Sequence, residues 1–91
     1  MNKCNLLRKR LSEPGIILSP GVYDCLSAKI AERTGFEVIF TSGFGISGSV
    51  LGHPDYGLLT ATEMLNAAGN ISKSVDIPLI ADIDTGYGNP I

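Results

Sequence analysis

The stretch Ile77-Pro78-Leu79-Ile80-Ala81-Asp82-Ile83-Asp84-Thr85-Gly86-Tyr87-Gly88 decides how this chain is read. An apolar run passes into two aspartates spaced i, i+2, and then into a Gly-rich turn. Residues two apart in a strand point to the same face, so Asp82 and Asp84 are expected to project together where the strand ends. Two carboxylates on one face repel each other unless a positive charge lies between them. Oxygen-only ligands suit a hard cation such as Mg²⁺. The plainer alternative is a strand-ending turn in which each aspartate caps backbone amides.

Working outward, the strand Pro78–Ala81 is preceded by Thr60-Ala-Thr-Glu63, a capping box that opens a helix to about Ser74. Met64, Leu65, Ala68 and Ile71 are expected on its apolar face. Upstream lies a Gly/Ser-rich stretch, Ser42 to Gly57, read as a long loop. Before it, Val38–Thr41 is a short β-branched strand. Tyr23 to Thr34, with Leu26, Ala28, Ile30 and Ala31 apolar, reads as a helix closed by Gly35. Ile16-Ile17-Leu18 is a first strand candidate ended by Pro20-Gly21. Residues 4–12 form an amphipathic helix with Leu6, Leu7 and Leu11 underneath, stopped by Pro14-Gly15. The order β-α-β-α-β with continuous apolar strands predicts a parallel sheet covered on both faces, either doubly wound or part of a (β/α)₈ barrel. In both, function gathers at the carboxyl ends of the strands.

The bulk numbers fit a globular chain: 91 residues, 44% apolar and 18% charged. A net charge of −2 gives no reason to expect nucleic acid as a partner. Lys3, Arg8, Lys9 and Arg10 are four of the seven cations. They read as a solvated helix face rather than a nucleic-acid or membrane patch. From Val50 onward Lys73 stands alone against Asp55, Glu63, Asp76, Asp82 and Asp84, which agrees with a cation site. No apolar run reaches the length of a signal sequence or a membrane span, so a cytoplasmic location without membrane contact is expected. Cys4 and Cys25 lack metal-ligand spacing and read as reduced thiols.

Two further constellations lie at the expected rim. Gly43-Phe-Gly45-Ile-Ser-Gly48 fits the dinucleotide spacing, but a helix is expected to open there at once, and the sequence after it runs into Gly52-His-Pro54. Glu63 belongs to the capping box and is badly placed for a ribose. A nucleotide-binding module is therefore the weaker reading. The simpler content is that glycines let amides approach an anion while Ser42 adds a hydroxyl. In His53-Pro-Asp55-Tyr-Gly57, Asp55 either fixes the turn or supplies a third carboxylate. His53 has no partner nearby that would mark it as catalytic.

Four motifs in order resemble one family: Pro20-Gly-Val-Tyr-Asp24 with Leu26-Ser-Ala28; Thr41-Ser-Gly-Phe-Gly45; Leu51-Gly-His-Pro-Asp-Tyr-Gly57; and Ala81-Asp-Ile-Asp-Thr-Gly-Tyr-Gly-Asn89. The chain is similar to the isocitrate lyase / phosphoenolpyruvate mutase superfamily, in the branch of 2-methylisocitrate lyase, dimethylmalate lyase and oxaloacetate decarboxylase. The resemblance implies a (β/α)₈ barrel that forms homo-oligomers, and an Mg²⁺-dependent (or Mn²⁺-dependent) lyase acting on a small 2-hydroxy or 2-oxo carboxylic acid through an enolate. Asp82 resembles the direct metal ligand, and Asp84 and Asp55 resemble carboxylates that hold the ion through water. Ser42, Gly43 and Phe44 resemble the loop that holds the substrate carboxylate. Phe40 sits where some members carry a tyrosine, and Phe44 replaces a glycine of methylisocitrate lyases.

The family's acid/base loop, with Lys-Cys-Gly-His, has no counterpart in the sequence up to Ile91. The resemblance implies that this loop lies beyond Ile91, so no catalytic acid or base is assigned. The expectation is a single incomplete domain over residues 1–91: an N-terminal helix to residue 13, then the first three strands and two helices of a barrel. Such a piece is expected to be inactive by itself. A non-catalytic oligomerising piece, or a subunit completed by another chain, is the alternative.

Overall fold

The computed structural model describes residues 2–53 and 60–83. Helix α1 spans Lys3–Ser12, begun by the Asn2 side chain, which accepts from Asn5 N–H at 2.8 Å. None of its residues is buried, and Leu6 and Leu11 are exposed, so the expected apolar underside is only loosely seated. Two of its cations do more than face solvent. Lys3 Nζ donates to the carbonyls of Ser72 and Val75 at the end of α4, and Arg10 Nε pairs with Glu37 at 2.7 Å. A cation on the last carbonyls of a helix satisfies orphan acceptors and opposes the helix dipole.

Ile16–Leu18 form no strand, contrary to expectation, and Ile16 and Leu18 are exposed. The pairing begins later. Phe40 N–H donates to Pro20 O at 3.1 Å and Val22 N–H to Phe40 O at 2.8 Å, a parallel bridge between Gly21 and Phe40. Ile16–Leu18 lie instead beside Phe36 and Glu37, where the chain has not yet entered a strand and offers no ladder. An apolar run is not enough without a partner strand at the same height.

Helix α2, Cys25–Thr34, starts two residues later than expected because Asp24 is its N-cap, with Ser27 completing a capping box. Gly35 ends it at φ 105°, where a side chain would be strained. Its inward face is Ala28 and Ala31; Leu26 and Ile30 point outward and are exposed.

Strands β1 (Ile39–Thr41) and β2 (Leu79–Ala81) are parallel, pairing Ile39 with Leu79, Phe40 with Ile80 and Thr41 with Ala81. Between them run α3, Gly43–Val50, and α4, Ala61–Ser74. Helix α3 corrects the loop reading of this stretch. Three glycines argue against a helix at about 1 kcal/mol each. Burial outweighs that: Ile46, fully buried, packs with Met64 of α4, flanked by Leu51 and Ala67. Ser47 Oγ then donates to His53 O at 2.8 Å and folds the following segment back.

The Thr60–Glu63 capping box forms as expected, and Met64 and Ile71 are buried on α4, whereas Leu65 is exposed. The main core lies between the sheet and the pair α2/α4: Val22, Ala28, Ala31, Ile39, Ile71 and Val75. Truncating Ile39 or Ile71 to Ala would cost about 2–5 kcal/mol at such sites.

The two sheet faces differ. Val22, Ile39 and Thr41 are buried under helices, while Phe40 and Ile80, on the opposite face, are 38% and 47% exposed. The expected cover on both faces is thus present on one only, among the described residues. No helix among them is long and apolar enough to cross a membrane.

Candidate functional site

Strand register fixes what can meet at the carboxyl ends. One row across the open face is Gly21–Phe40–Ile80. Side chains repeat every two residues, so continuing the same alternation past the last pairs puts Tyr23, Ser42 and Asp82 in the next row. Two contacts support this alignment. Asp82 N–H donates to Thr41 O at 3.1 Å. At Gly45, a Cβ would lie 3.4 Å from Ser42 Oγ and 3.5 Å from Tyr23 Cβ, so both residues border the same spot.

Ser42 is the N-cap of α3. Its Oγ accepts from Gly45 N–H at 3.1 Å, and its carbonyl accepts from Ile46 N–H at 3.1 Å. Gly43 and Phe44 follow as the first helical residues, whose amides have no acceptor within the helix. Such amides, with the helix dipole, favour an anion. Gly43 is buried and the Phe44 ring is 71% exposed. A helix does open directly after the strand, contrary to expectation and as the dinucleotide spacing requires, and it ends at Val50.

Asp82 is exposed, one residue past β2, and its N–H bond to Thr41 O brings it beside Ser42. Asp55 and Asp84 lie outside the described residues. So does Ile91, the position past which the acid/base loop is expected, and no acid or base is assigned among the residues that are described. Among them no group of three His, Cys, Asp or Glu side chains gathers for a metal. The donor set still fits a hard cation bridging to an anion: one carboxylate oxygen ligand, with a helix N-terminus beside it for the anion's other end. Phe40 lies one row below, its ring 3.0 Å from where a Gly21 Cβ would be, so only glycine leaves that ring its place.

Tyr23 follows Pro20-Gly21 closely enough for the sequence to suggest that it reaches the rim, but its place beside Ser42 depends on the Gly21–Phe40 bridge, which no local signal announces. A larger cleft of about 560 Å³ lies elsewhere, between α1, the end of α2 and the turn before β2, and holds none of these residues.

A family model described as phosphoenolpyruvate phosphomutase matches residues 7–91. The chain is 43% identical over 91 residues to 2,3-dimethylmalate lyase of Eubacterium barkeri, covering 100% of this chain and 32% of that protein. It is 51% identical over 82 residues to the chloroplastic carboxyvinyl-carboxyphosphonate phosphorylmutase of Arabidopsis thaliana, covering 89% and 24%. The fold matches that of a phosphonopyruvate hydrolase solved with oxalate and Mg²⁺, at TM-score 0.90 and 40% identity, covering 98% of this chain and 31% of that one. The chain thus spans about a third or less of the length of these relatives, by name a lyase, a mutase and a hydrolase. With its matching model, fold and strand-end motifs, it belongs to the phosphoenolpyruvate phosphomutase family, in the superfamily shared with isocitrate lyase.

Proposed function

We propose that these residues form the metal and carboxylate half of an Mg²⁺-dependent carbon–carbon lyase site, at the carboxyl rim of a (β/α)₈ barrel. The observation that carries the reading is the juxtaposition of Asp82 with the capped N-terminus of α3, on the one sheet face that helices leave open. Family membership supports the barrel, and the oxalate and Mg²⁺ of the phosphonopyruvate hydrolase support both ligands.

In this reading Asp82 holds the cation directly, and Asp84 and Asp55 hold it through water. The Gly43 and Phe44 amides and the Ser42 hydroxyl hold the carboxylate of a 2-hydroxy or 2-oxo acid. Ser42 Oγ can do both jobs, because it accepts from Gly45 and keeps its own proton to donate. Phe40 forms the apolar floor one row below. The bond that breaks leaves an enolate, and donors fixed in advance by the helix cap lower its cost without reorganisation. When bound, Mg²⁺ would supply the positive charge that stabilises the enolate oxygen. Proton transfer falls to groups outside these residues. The assembled protein is expected to be a cytoplasmic homo-oligomer.

The test is turnover by the full-length protein of 2,3-dimethylmalate, 2-methylisocitrate and oxaloacetate in Mg²⁺ buffer. Cleavage of one of them, lost with a chelator and in Asp82→Ala, is expected. Cleavage that persists in Asp82→Ala would overturn the assignment. The 51% identity to a phosphorylmutase favours a second reading, in which a P–C bond is rearranged at the same rim. Phosphorus NMR on a phosphonate substrate separates the two.

A further inference from the structure

Beside the α3 amides, Tyr23, Phe44, Gly45, Gly48 and Ser49 line a cleft of about 290 Å³. We propose that it is a side pocket for an apolar substituent of the bound acid, with Tyr23 as its specificity-determining wall; this rests on the carboxylate site proposed above and deepens it.

Three observations lead there. Tyr23 is 49% and Phe44 71% exposed, so neither ring belongs to the core, yet both border one cleft. Phe44 also carries one of the amides proposed to hold the carboxylate, so the cleft continues from the anchoring point. The floor is bare where packing does not require it. At Gly45 a Cβ would make only ordinary contacts, 3.4 Å from Ser42 Oγ and 3.5 Å from Tyr23 Cβ, so packing leaves room for a side chain there. At Gly48 nothing among the described residues lies within 4 Å of the Cβ position, and its φ is not in the left-handed region. A helical glycine costs about 1 kcal/mol against alanine. Here it keeps open a space between two aromatic rings and next to an anion anchor, which suits an alkyl group on an acid rather than a second charge.

The experiment compares binding, by calorimetry in Mg²⁺ buffer, of oxalate (no substituent), pyruvate and 2-oxopentanoate to the full-length protein and three variants. Gly48→Leu fills the floor with a good helix former, so loss of folding is not the expected outcome. Relative to oxalate, its affinity for 2-oxopentanoate should fall about tenfold, since one or two methylenes in an apolar pocket are worth that much. Tyr23→Ala should lower the same ratio severalfold, and Tyr23→Phe should leave it unchanged because the ring, not the hydroxyl, makes the wall. An unchanged ratio in both Gly48→Leu and Tyr23→Ala overturns the side pocket while leaving the carboxylate site standing. Failure of the unmutated protein to bind oxalate overturns both.

Discussion

Asp82 N–H donates to Thr41 O at 3.1 Å, and so Asp82 stands next to Ser42, one step past the last pair, Thr41 and Ala81. A carboxylate and a helix N-terminus are thereby held together by backbone pairing, not by flexible side chains. Such positioning is what a metal bridging to an anionic substrate needs. Asp82→Asn keeps the shape but removes the charge. It should lower Mg²⁺-dependent turnover by about 100-fold or more, since even residues that only support metal ligands are worth about 10–100-fold. Thermal unfolding without Mg²⁺ should change little, as Asp82 is exposed. Turnover near the unmutated level would remove Asp82 from the metal site.

Ser42 has a structural and a proposed binding role, and two variants separate them. Ser42→Ala removes the cap of α3 and should cost about 1 kcal/mol of stability. Ser42→Asp keeps a good capping oxygen but sets a negative charge beside the Gly43 and Phe44 amides. It should fold as stably as the parent while oxalate affinity drops at least about tenfold, by like-charge repulsion. Denaturant melts with calorimetry decide. If Ser42→Asp binds oxalate normally, the anion does not lie at this helix.

The parts of the fold with local causes were legible in the sequence. Thr60 and Glu63 announce α4, and Gly35 closes α2, because a cap is chemistry among residues three or four apart. What depends on distant partners was not. The helicity of Gly43–Val50 rests on Ile46 meeting Met64 eighteen positions later, against local propensity. The true start of the first pairing, at Pro20, depends on Phe40. For the site the division is similar. The residue types and the i, i+2 spacing pointed to Asp82 and Ser42, but placing Tyr23 in their row needed the register.

Thr41 offers a test of the buried side of the same strand end. It is 1% exposed, and its Oγ1 has no hydrogen-bond partner among the described residues. A buried hydroxyl without a partner carries a desolvation cost of about 1–3 kcal/mol, and valine has the same shape without it. Thr41→Val should raise the unfolding free energy by roughly 1 kcal/mol, read from the denaturation midpoint at constant slope. Activity should be unaffected, since Thr41 faces the helices and not the open face. A destabilised variant would mean that the hydroxyl is satisfied in the assembled protein.

Lys3 ties α1 to the far end of α4 by donating to Ser72 O and Val75 O. Lys3→Met keeps most of the apolar stem and removes the charge. It should cost about 0.3–1 kcal/mol, the range for a cation at a helix C-terminus. Part of the native contribution should also fade at high salt, because the group is only half-buried. Equal stabilities at low and high salt for parent and variant would show that this contact is not electrostatic.

Residues 1–91 expressed alone test how far the site depends on the rest of a barrel. A (β/α)₈ barrel takes about 250 residues, and the chain spans 32% of the dimethylmalate lyase it resembles. Among the described residues, Phe40 and Ile80 lie on a face without helices and β2 pairs on one side only. Uncovered apolar faces and unpaired edges recruit other copies. The isolated piece should therefore associate as its concentration rises and show no detectable turnover of any of the three acids, because the proposed site leaves proton transfer to groups outside these residues. Light scattering after size exclusion, with the same turnover assay, reads both. A monomer with a cooperative melt would show that the α2/α4 core suffices for folding. Turnover abolished by Asp82→Ala would show in addition that the acid/base group lies within residues 1–91 and not beyond Ile91.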